Sequence, residues 1–335
     1  MTTLNLRKES AQDLDIEKTK LEASITVKIE QIFRNMANDA SNLFLATGNL
    51  DNQLLAQNYA PEFLKEIRDA LRKSIKRFGF NLRKDVEKKH YLMFNIETMQ
   101  RFIDLELKQS IKIDDENLDE KINNINNQFL LDSTLFVANE SEEQNNYVTE
   151  TNSKMLEKAV IAGIFAYSAL IVSKENEAQD LRSRLITASN TESRAINRQL
   201  DQVTRQIAES NANQDAIIAK NIKTNLLEKA PARSELISAQ NVGLAESWAR
   251  QTEAELIDDA NLISASGESV NVSKTWFAIL DSKTRSSHAE ADGQEVGVND
   301  FYNVGGEQLK YPRDGSQGAS AGNIINCRCL SNFSV

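Results

Sequence analysis

Hydrophobic positions recur with helical spacing along the first third of the chain. Between residues 12 and 110, two sets of apolar side chains each fall on one face of a helix. The first set is Ile25, Ile29, Ile32 and Met36, and the second is Leu64, Ile67, Leu71, Ile75 and Phe78. Asp51 and Asn52 mark a break between the sets, and Pro61 suits the first turn of the second helix. The pattern predicts two amphipathic helices that pack as a hairpin.

Polar residues then replace this pattern over residues 114–154, which are rich in Asp, Glu, Asn and Ser. Such a composition is typical of loops around short helices. We therefore expect a polar linker near residues 138–154 and a domain boundary near residue 150. This boundary separates an N-terminal helical region, residues 1–150, from a second helical domain, residues 151–266.

The second helical domain begins with an apolar run, Ala159 to Val172, that contains no charged residue. A helix that spans a bilayer needs about 20 such residues, and this run is shorter and bounded by Lys158 and Lys174. We expect a buried helix without stable membrane insertion, and a transient membrane contact is the alternative.

Helical periodicity returns after the apolar run and continues almost to the end of this domain. The apolar positions are Ile196, Leu200, Val203 and Ile207, and then Ile218, Ile222 and Leu226. Pro231 is expected to break the helix, and Ala232 to Ile257 is expected to form another one.

The last segment, residues 267–335, differs from the body of the chain because it is rich in glycine. Only four of the twelve glycines precede it. Thr275 to Leu280 is rich in branched and aromatic residues, and Glu295 to Val298 lies between two turn-forming pairs, so both are predicted strands. The predicted fold class is mainly α, with long helices in a hairpin or bundle followed by a small α+β C-terminal module with short strands.

The net charge of -10 argues against a chain-wide nucleic-acid surface, because phosphate binding depends on clustered cations. A local exception is the second helix, where Arg72, Lys76, Arg77 and Arg83 form a candidate face for DNA or a protein partner. Acidic residues are interspersed there, so an ordinary solvated face is the alternative.

The two cysteines, Cys327 and Cys329, are one residue apart and are poorly placed for a disulfide with each other. No secretory pattern opens the chain, so we expect synthesis in a reducing cytoplasm. With His288 these thiols are of the types that bind zinc, and Asp281 or Asp292 could add an oxygen ligand. A structural zinc ion is therefore one interpretation of the segment.

Two other interpretations use the same residues. In the first, Asp281 and Arg285 form a charged hydrogen-bond cluster with His288 that ties the first strand to the Cys-Arg-Cys segment. In the second, Asp281 and His288, with Glu290 or Asp292, form a metal-dependent or acid–base hydrolase site of the nuclease kind. No activated nucleophile pair or phosphate-binding glycine motif accompanies them, so we assign no catalytic residue.

The C-terminal segment carries a series of motif residues in this order: Trp276, Asp281, Thr284, Arg285, His288, Asp292, Gly293, Gly305, Gly306, Glu307, Pro312, Asn326, Cys327, Arg328 and Cys329. Taken together, they resemble the phage Mu F-like head morphogenesis family. The resemblance is densest over residues 274–330 and weaker over about 155–273, where Arg233 to Asn241 is similar to the helix that commonly precedes the motif. Other branches of the family carry a Cys-x-x-Cys pair where this chain has Arg285 and His288.

This resemblance implies a minor head (capsid) protein of a tailed phage that is made in the host cytoplasm and associates with the portal vertex in the virion. Its partners would be the portal protein, the major capsid or scaffold protein and packaged double-stranded DNA. It would act in head assembly, and in DNA packaging or ejection as some relatives are thought to do, by binding and not by catalysis. Domains similar to this tail also occur fused to toxin modules, and we find no toxin-like pattern before residue 274.

Overall fold

Long helices make up most of the protein. The computed structural model describes residues 2–78, 118–261, 269 and 271–334. The long helices in these ranges are α1 (Thr2–Thr47), α2 (Asn52–Phe78), α3 (Leu118–Leu185), α4 (Asn190–Ala212) and α5 (Gln214–Asp259). Short strands and helical turns follow them. This confirms the predicted fold class, mainly α with a small α+β module.

The short elements after α5 form two antiparallel sheets. They are β1 (Ser273–Phe277), α6 (Ser286–Glu290), β2 (Glu295–Gly297), β3 (Tyr302–Val304), β4 (Glu307–Leu309), α7 (Ala321–Ile324) and β5 (Leu330–Ser334). One sheet has the order β2-β1-β5, with Trp276 opposite Ser331, and the other pairs β3 with β4. The predicted second strand is confirmed, whereas the first begins and ends earlier than Thr275 to Leu280. Its end is set by Asp292, whose carboxylate accepts a hydrogen bond from the Ala278 N–H at 2.8 Å.

The chain contains two compact units, and neither is a continuous stretch of sequence. One consists of Met1–Val27, Leu64–Gln144 and Glu235–Val335, and the other of Lys28–Phe63 and Asn145–Ser234. The bounds of these units do not coincide with the divisions expected near residues 150 and 266. A long helix such as α3 contributes residues to both units. Local composition cannot predict a division of this kind, because it changes within one continuous helix.

The predicted hairpin of α1 and α2 is present. In the second unit the rings of Phe33 and Phe63 meet edge to face, with centroids 5.0 Å apart, and the Tyr59 hydroxyl donates to Asp39 at 2.6 Å. The Asp51 side chain accepts a hydrogen bond from the Leu54 N–H at 2.9 Å and so caps α2. The sequence had suggested that Pro61 lies in the first turn of α2. Because the helix begins at Asn52, Pro61 lies inside it instead.

The predicted linker at residues 138–154 is wrong, because α3 passes through it without a break. Its polar side chains bond to each other one helical turn apart, as Gln144 does to Glu140 at 2.8 Å and Lys154 to Glu150 at 2.6 Å. Val148 and Leu156 are buried among them. The polar composition predicted loops, but the segment is helical and keeps a few buried apolar residues.

The apolar run Ala159 to Val172 is helical as expected but is not buried as expected. Most of its large side chains are exposed, including Phe165 at 70%, and close packing is confined to a strip at Gly163, which faces Ile218 of α5. By length and composition one helix in the described ranges, Asn123–Leu185 of α3, could cross a membrane, and only 17% of its most apolar window is buried. A soluble protein's core helix can meet the same two criteria. The shortness of the run was a poor guide to its burial.

Pro231 does not end a helix, since α5 continues from Gln214 to Asp259. A proline removes one backbone hydrogen bond, but Ala230 and Ser234 beside it are buried, and the Ser234 hydroxyl donates to the Ala230 carbonyl at 2.7 Å. Packing on this face holds the helix together across the proline. Further along, Trp248 packs inward as predicted, with the ring of Phe136 stacked on it at 4.2 Å.

Candidate functional site

The C-terminal module buries a histidine against both cysteines of the protein. His288 lies on the short helix α6, and Cys327 and Cys329 lie between α7 and β5. The Nδ1 atom of His288 is 3.3 Å from the Cys329 sulfur and 3.5 Å from the Cys327 sulfur. All three side chains are buried, and their ligand atoms lie within 4.8 Å of one another. Both thiols are free.

The Cys-Arg-Cys spacing explains how both thiols reach the same site. After α7 ends, Asn326 adopts a left-handed backbone conformation, with φ 57°, and redirects the chain. The following segment alternates, with Cys327 and Cys329 buried and Arg328 between them partly exposed. In extended chain, alternate side chains share a side, so the two sulfur atoms point inward together.

Two cationic side chains fasten the Cys-Arg-Cys segment to the turn before α6. Arg328 pairs with the Asp281 carboxylate at 2.5 Å, and the Arg285 guanidinium donates to the Ile325 carbonyl. The hydrogen bond from Arg328, with one from the Lys283 N–H, holds the pKa of Asp281 well below its usual range. The Thr284 hydroxyl adds a hydrogen bond to the Ile279 carbonyl in the same turn.

These contacts correct the expected Asp281–Arg285–His288 cluster. The strand and the Cys-Arg-Cys segment are tied together, but Asp281 pairs with Arg328, Arg285 binds a backbone carbonyl and His288 faces the thiols. The choice of partners depends on the chain path at Asn326, which places Arg328 opposite Asp281. Residue types alone did not reveal that path.

The aromatic motif residue, Trp276, forms the wall of the site. It is completely buried and meets His288 edge-on at 5.8 Å and Tyr302 edge-on at 5.2 Å. The turn at Asp292 and Gly293 fixes its strand, because the Gly293 N–H donates to the Trp276 carbonyl at 2.9 Å. Gly293 has φ 80°, which glycine adopts without strain.

The remaining motif residues shape the opposite side of the module. Gly305 and Gly306, with φ of 61° and 85°, make the turn between β3 and β4. The Asn323 amide of α7 bonds to the Glu307 carboxylate at 2.7 Å and to the Val304 carbonyl at 3.1 Å. Pro312 is buried. The structure thus brings the sequence-predicted motif into one module and gives most of its residues structural contacts.

The surroundings shift the pKa values of the two thiols in opposite directions. Burial disfavours the Cys327 thiolate, but hydrogen bonds from Cys329 and His288, with the nearby charge of Arg313, lower its pKa well below the usual value. The pKa of Cys329 is raised, first because it donates its proton to Cys327 and second because it is buried. Cys327 is therefore the more acidic of the two thiols.

Sequence reasoning missed Arg313, whose guanidinium is buried near the thiols. It packs on the backbone of α5 at Gly243, where an added Cβ would lie 2.1 Å from the Arg313 Cζ. A single arginine after a proline gives no periodic signal. The absence of a side chain at Gly243 was the one clue in the sequence.

A second set of buried charges, also missed, joins α1, α5 and the module within the first unit. The Glu246 carboxylate lies 3.2 Å from the Lys18 amine and 3.7 Å from the Arg250 guanidinium. Arg250 also donates to the Ser331 carbonyl of β5, and burial lowers its pKa to about 9. Lys274 of β1 donates to the Gln251 side chain at 3.2 Å. These side chains lie in two helices and a strand whose apolar neighbours dominated the pattern.

The candidate basic face is present on α2 for the part that the structure describes. Arg72, Lys76 and Arg77 are exposed, whereas Arg83 lies outside the described residues. Lys73 between them is in an ion pair with Asp69 at 3.5 Å.

Comparisons with known proteins give one short match. No protein-family model matches the chain, and no solved structure matches it. A stretch of 62 residues, 18% of this chain, is 37% identical to the NAD(+)--arginine ADP-ribosyltransferase EFV of Enterococcus faecalis. The match spans only 12% of that protein's length. It is a local similarity between part of this chain and a much longer protein.

Proposed function

We propose that the protein is a minor head protein of a tailed phage that binds at the portal vertex during head assembly. The observation that carries this proposal is the convergence of the motif residues. Trp276, His288, Cys327 and Cys329 share one hydrophobic core or touch within it, and Asp281, Arg285 and Arg328 clamp its edge. The residues that resemble the Mu F-like family thus lie together in one folded module, which supports reading them as a single motif.

The arrangement favours binding over catalysis. His288 is 2% exposed, so its imidazole is poorly placed to meet a macromolecular substrate. Asp281, the other residue of the hydrolase alternative, is held in an ion pair with Arg328. We therefore assign these side chains to holding the module together.

The proposed partners are the portal protein, the major capsid or scaffold protein and packaged double-stranded DNA. Long helices with exposed faces suit attachment to such extended surfaces. The exposed cations of α2, which are Arg72, Lys76 and Arg77, are the proposed contact for DNA or an acidic portal surface. In this proposal the module serves as the docking or locking element.

The transferase activity in the name of the Enterococcus faecalis relative is not part of this proposal. That name describes a whole protein, of which the matched stretch spans 12%. Domains similar to this tail occur fused to toxin modules, so a short similarity of this kind is compatible with a shared module.

Quantitative mass spectrometry of purified, DNA-filled particles from the strain that carries the gene tests the proposed function. We expect this chain at a low, fixed ratio to the portal subunit, while abundant host proteins vary between preparations. Loss of the chain after DNA release would indicate an ejected protein, and retention a fixed head component. Absence from both filled particles and immature heads would overturn the proposal and favour the hydrolase alternative.

A further inference from the structure

The spacing of the donor atoms around His288 matches the coordination sphere of a zinc ion. Zinc binds imidazole nitrogen at about 2.1 Å and thiolate sulfur at about 2.3 Å, so a tetrahedral ion separates a nitrogen and a sulfur ligand by about 3.6 Å. The observed separations from Nδ1 to the two sulfurs are 3.3 and 3.5 Å. No pair of ligand atoms in the group is more than 4.8 Å apart, against about 3.8 Å for two sulfurs on one zinc ion. Small movements would seat the ion.

Hydrogen bonding alone accounts poorly for this convergence. Both sulfurs approach the same nitrogen, Nδ1, which carries at most one hydrogen and can direct it at one of them. The other ring nitrogen, Nε2, is buried without a hydrogen-bond partner, so the imidazole is not oriented from its far side. Three ligand atoms that converge in this way are what a shared metal cation requires.

The donor set also selects the metal. Two thiolates with one imidazole suit zinc, whereas magnesium and calcium prefer oxygen ligands. The ligands come from two segments, since His288 is 41 residues from Cys329 and 39 from Cys327 along the chain. A bound ion would therefore join α6 to the segment before β5. The Asp281–Arg328 and Arg285–Ile325 contacts join the same segments from outside the core.

We propose that His288 Nδ1, Cys327 Sγ and Cys329 Sγ bind one zinc ion that stabilises the C-terminal module. Among the residues that the structure describes, no further His, Cys, Asp or Glu adds an atom to this group. The fourth position is left to a water molecule. The proposal concerns the module alone and stands or falls independently of the phage role.

Metal analysis of the full-length protein, purified under reducing conditions, tests this directly. We expect about one zinc ion per chain by elemental mass spectrometry. Exchange for Co²⁺ is expected to give the absorption bands of a thiolate-bound, tetrahedral cobalt ion. Chelation is expected to lower the midpoint of thermal unfolding. Glu290→Gln, an exposed change on the same helix, is the control and should leave the metal content unchanged.

A pair of substitutions at His288 separates a metal ligand from a hydrogen-bonding group. His288→Cys supplies a thiolate that zinc accepts, so we expect bound zinc within about twofold of the parent protein. His288→Asn keeps a hydrogen-bonding side chain but is a poor zinc ligand, so we expect at least about a tenfold loss of bound zinc. If the folded parent protein takes up neither zinc nor cobalt, and chelation leaves its unfolding midpoint unchanged, the proposal is wrong. That result does not depend on whether either variant folds.

Discussion

At the residue scale, Glu246 is a fully buried carboxylate placed between two cations, Lys18 and Arg250. Glu246→Gln keeps the shape of the side chain but leaves both cations without their counter-charge. Breaking a buried ion pair on one side costs about 3–5 kcal/mol. We expect a loss of that size in the free energy of unfolding, measured by urea denaturation.

The control for this prediction is Glu235→Gln, which makes the same chemical change at an exposed position of the same helix. We expect a change within about 0.5 kcal/mol there. Equal losses in the two variants would mean that the ion pairs of Glu246 do not contribute specifically to stability.

Lys274 gives a prediction about pH. It is buried, it donates to the Lys310 carbonyl at 2.8 Å, and burial lowers its pKa to about 8. In the unfolded chain its pKa is about 10.4, so between these two values the unfolded state binds more protons than the folded state. Stability should therefore rise as the pH increases from about 8 to about 10.

Lys274→Met isolates this contribution, because it removes the titrating amine and keeps an unbranched side chain. Arg250, whose pKa is lowered to about 9, contributes with the same sign and remains in both proteins. We expect urea denaturation to show a rise of about 1–3 kcal/mol over this range that is present in the parent and reduced in the variant. Parallel pH profiles for the two proteins would contradict the assignment.

At the element scale, the close approach of α3 and α5 depends on Gly163. A Cβ at this position would lie 3.1 Å from the Ile218 carbonyl oxygen and 3.1 Å from the Ile222 side chain. Gly163→Val puts two further methyl groups into that space. Overpacking of this kind costs about 1–3 kcal/mol.

Ala166→Val is the matched control for Gly163→Val, since Ala166 lies one turn further along α3 and is exposed. It introduces the same branched residue into the same helix, at a cost in helix propensity below about 0.7 kcal/mol. Thermal unfolding of both variants should show the larger loss at Gly163. A smaller loss there would place α3 and α5 further apart than the structure does.

Apolar spacing was enough to predict some elements and not others. The hairpin of α1 and α2 followed from Ile29, Met36 and Phe78 and their neighbours, because those helices carry a regular apolar face. The continuity of α3 through residues 138–154 and of α5 through Pro231 could not be predicted in this way. There, side-chain pairs one turn apart and packing on one face outweigh the local preference for a break.

The candidate site was predictable in its residue types but not in its contacts. His288, Cys327 and Cys329 were grouped from their chemistry, and the structure brings them together. The pairing of Asp281 with Arg328 depends on a left-handed residue, Asn326, whose conformation has no periodic signature. Long-range approach of this kind is set by the tertiary path of the chain.

At the scale of the whole molecule, charge limits where DNA can bind. The chain has a net charge of -10, so the molecule as a whole repels phosphate. Among the exposed cations of α2, Arg72 and Lys76 are four positions apart and share one face of the helix, and Arg77 lies about 100° further round from Lys76. Contact with DNA at this basic face should weaken with salt.

Reversing the charge of these three residues to Glu is expected to abolish binding to double-stranded DNA, measured by fluorescence anisotropy at several salt concentrations. The parent protein should show an affinity that falls with salt with a slope near -2 to -3, as about three phosphate contacts require. Reversal of Arg194, Arg198 and Arg205, three exposed arginines of α4, changes the net charge equally and is the control. If both triple variants lose affinity alike, net charge alone governs binding. If the parent protein fails to bind at low salt, the basic face is a solvated surface or a contact for an acidic protein partner.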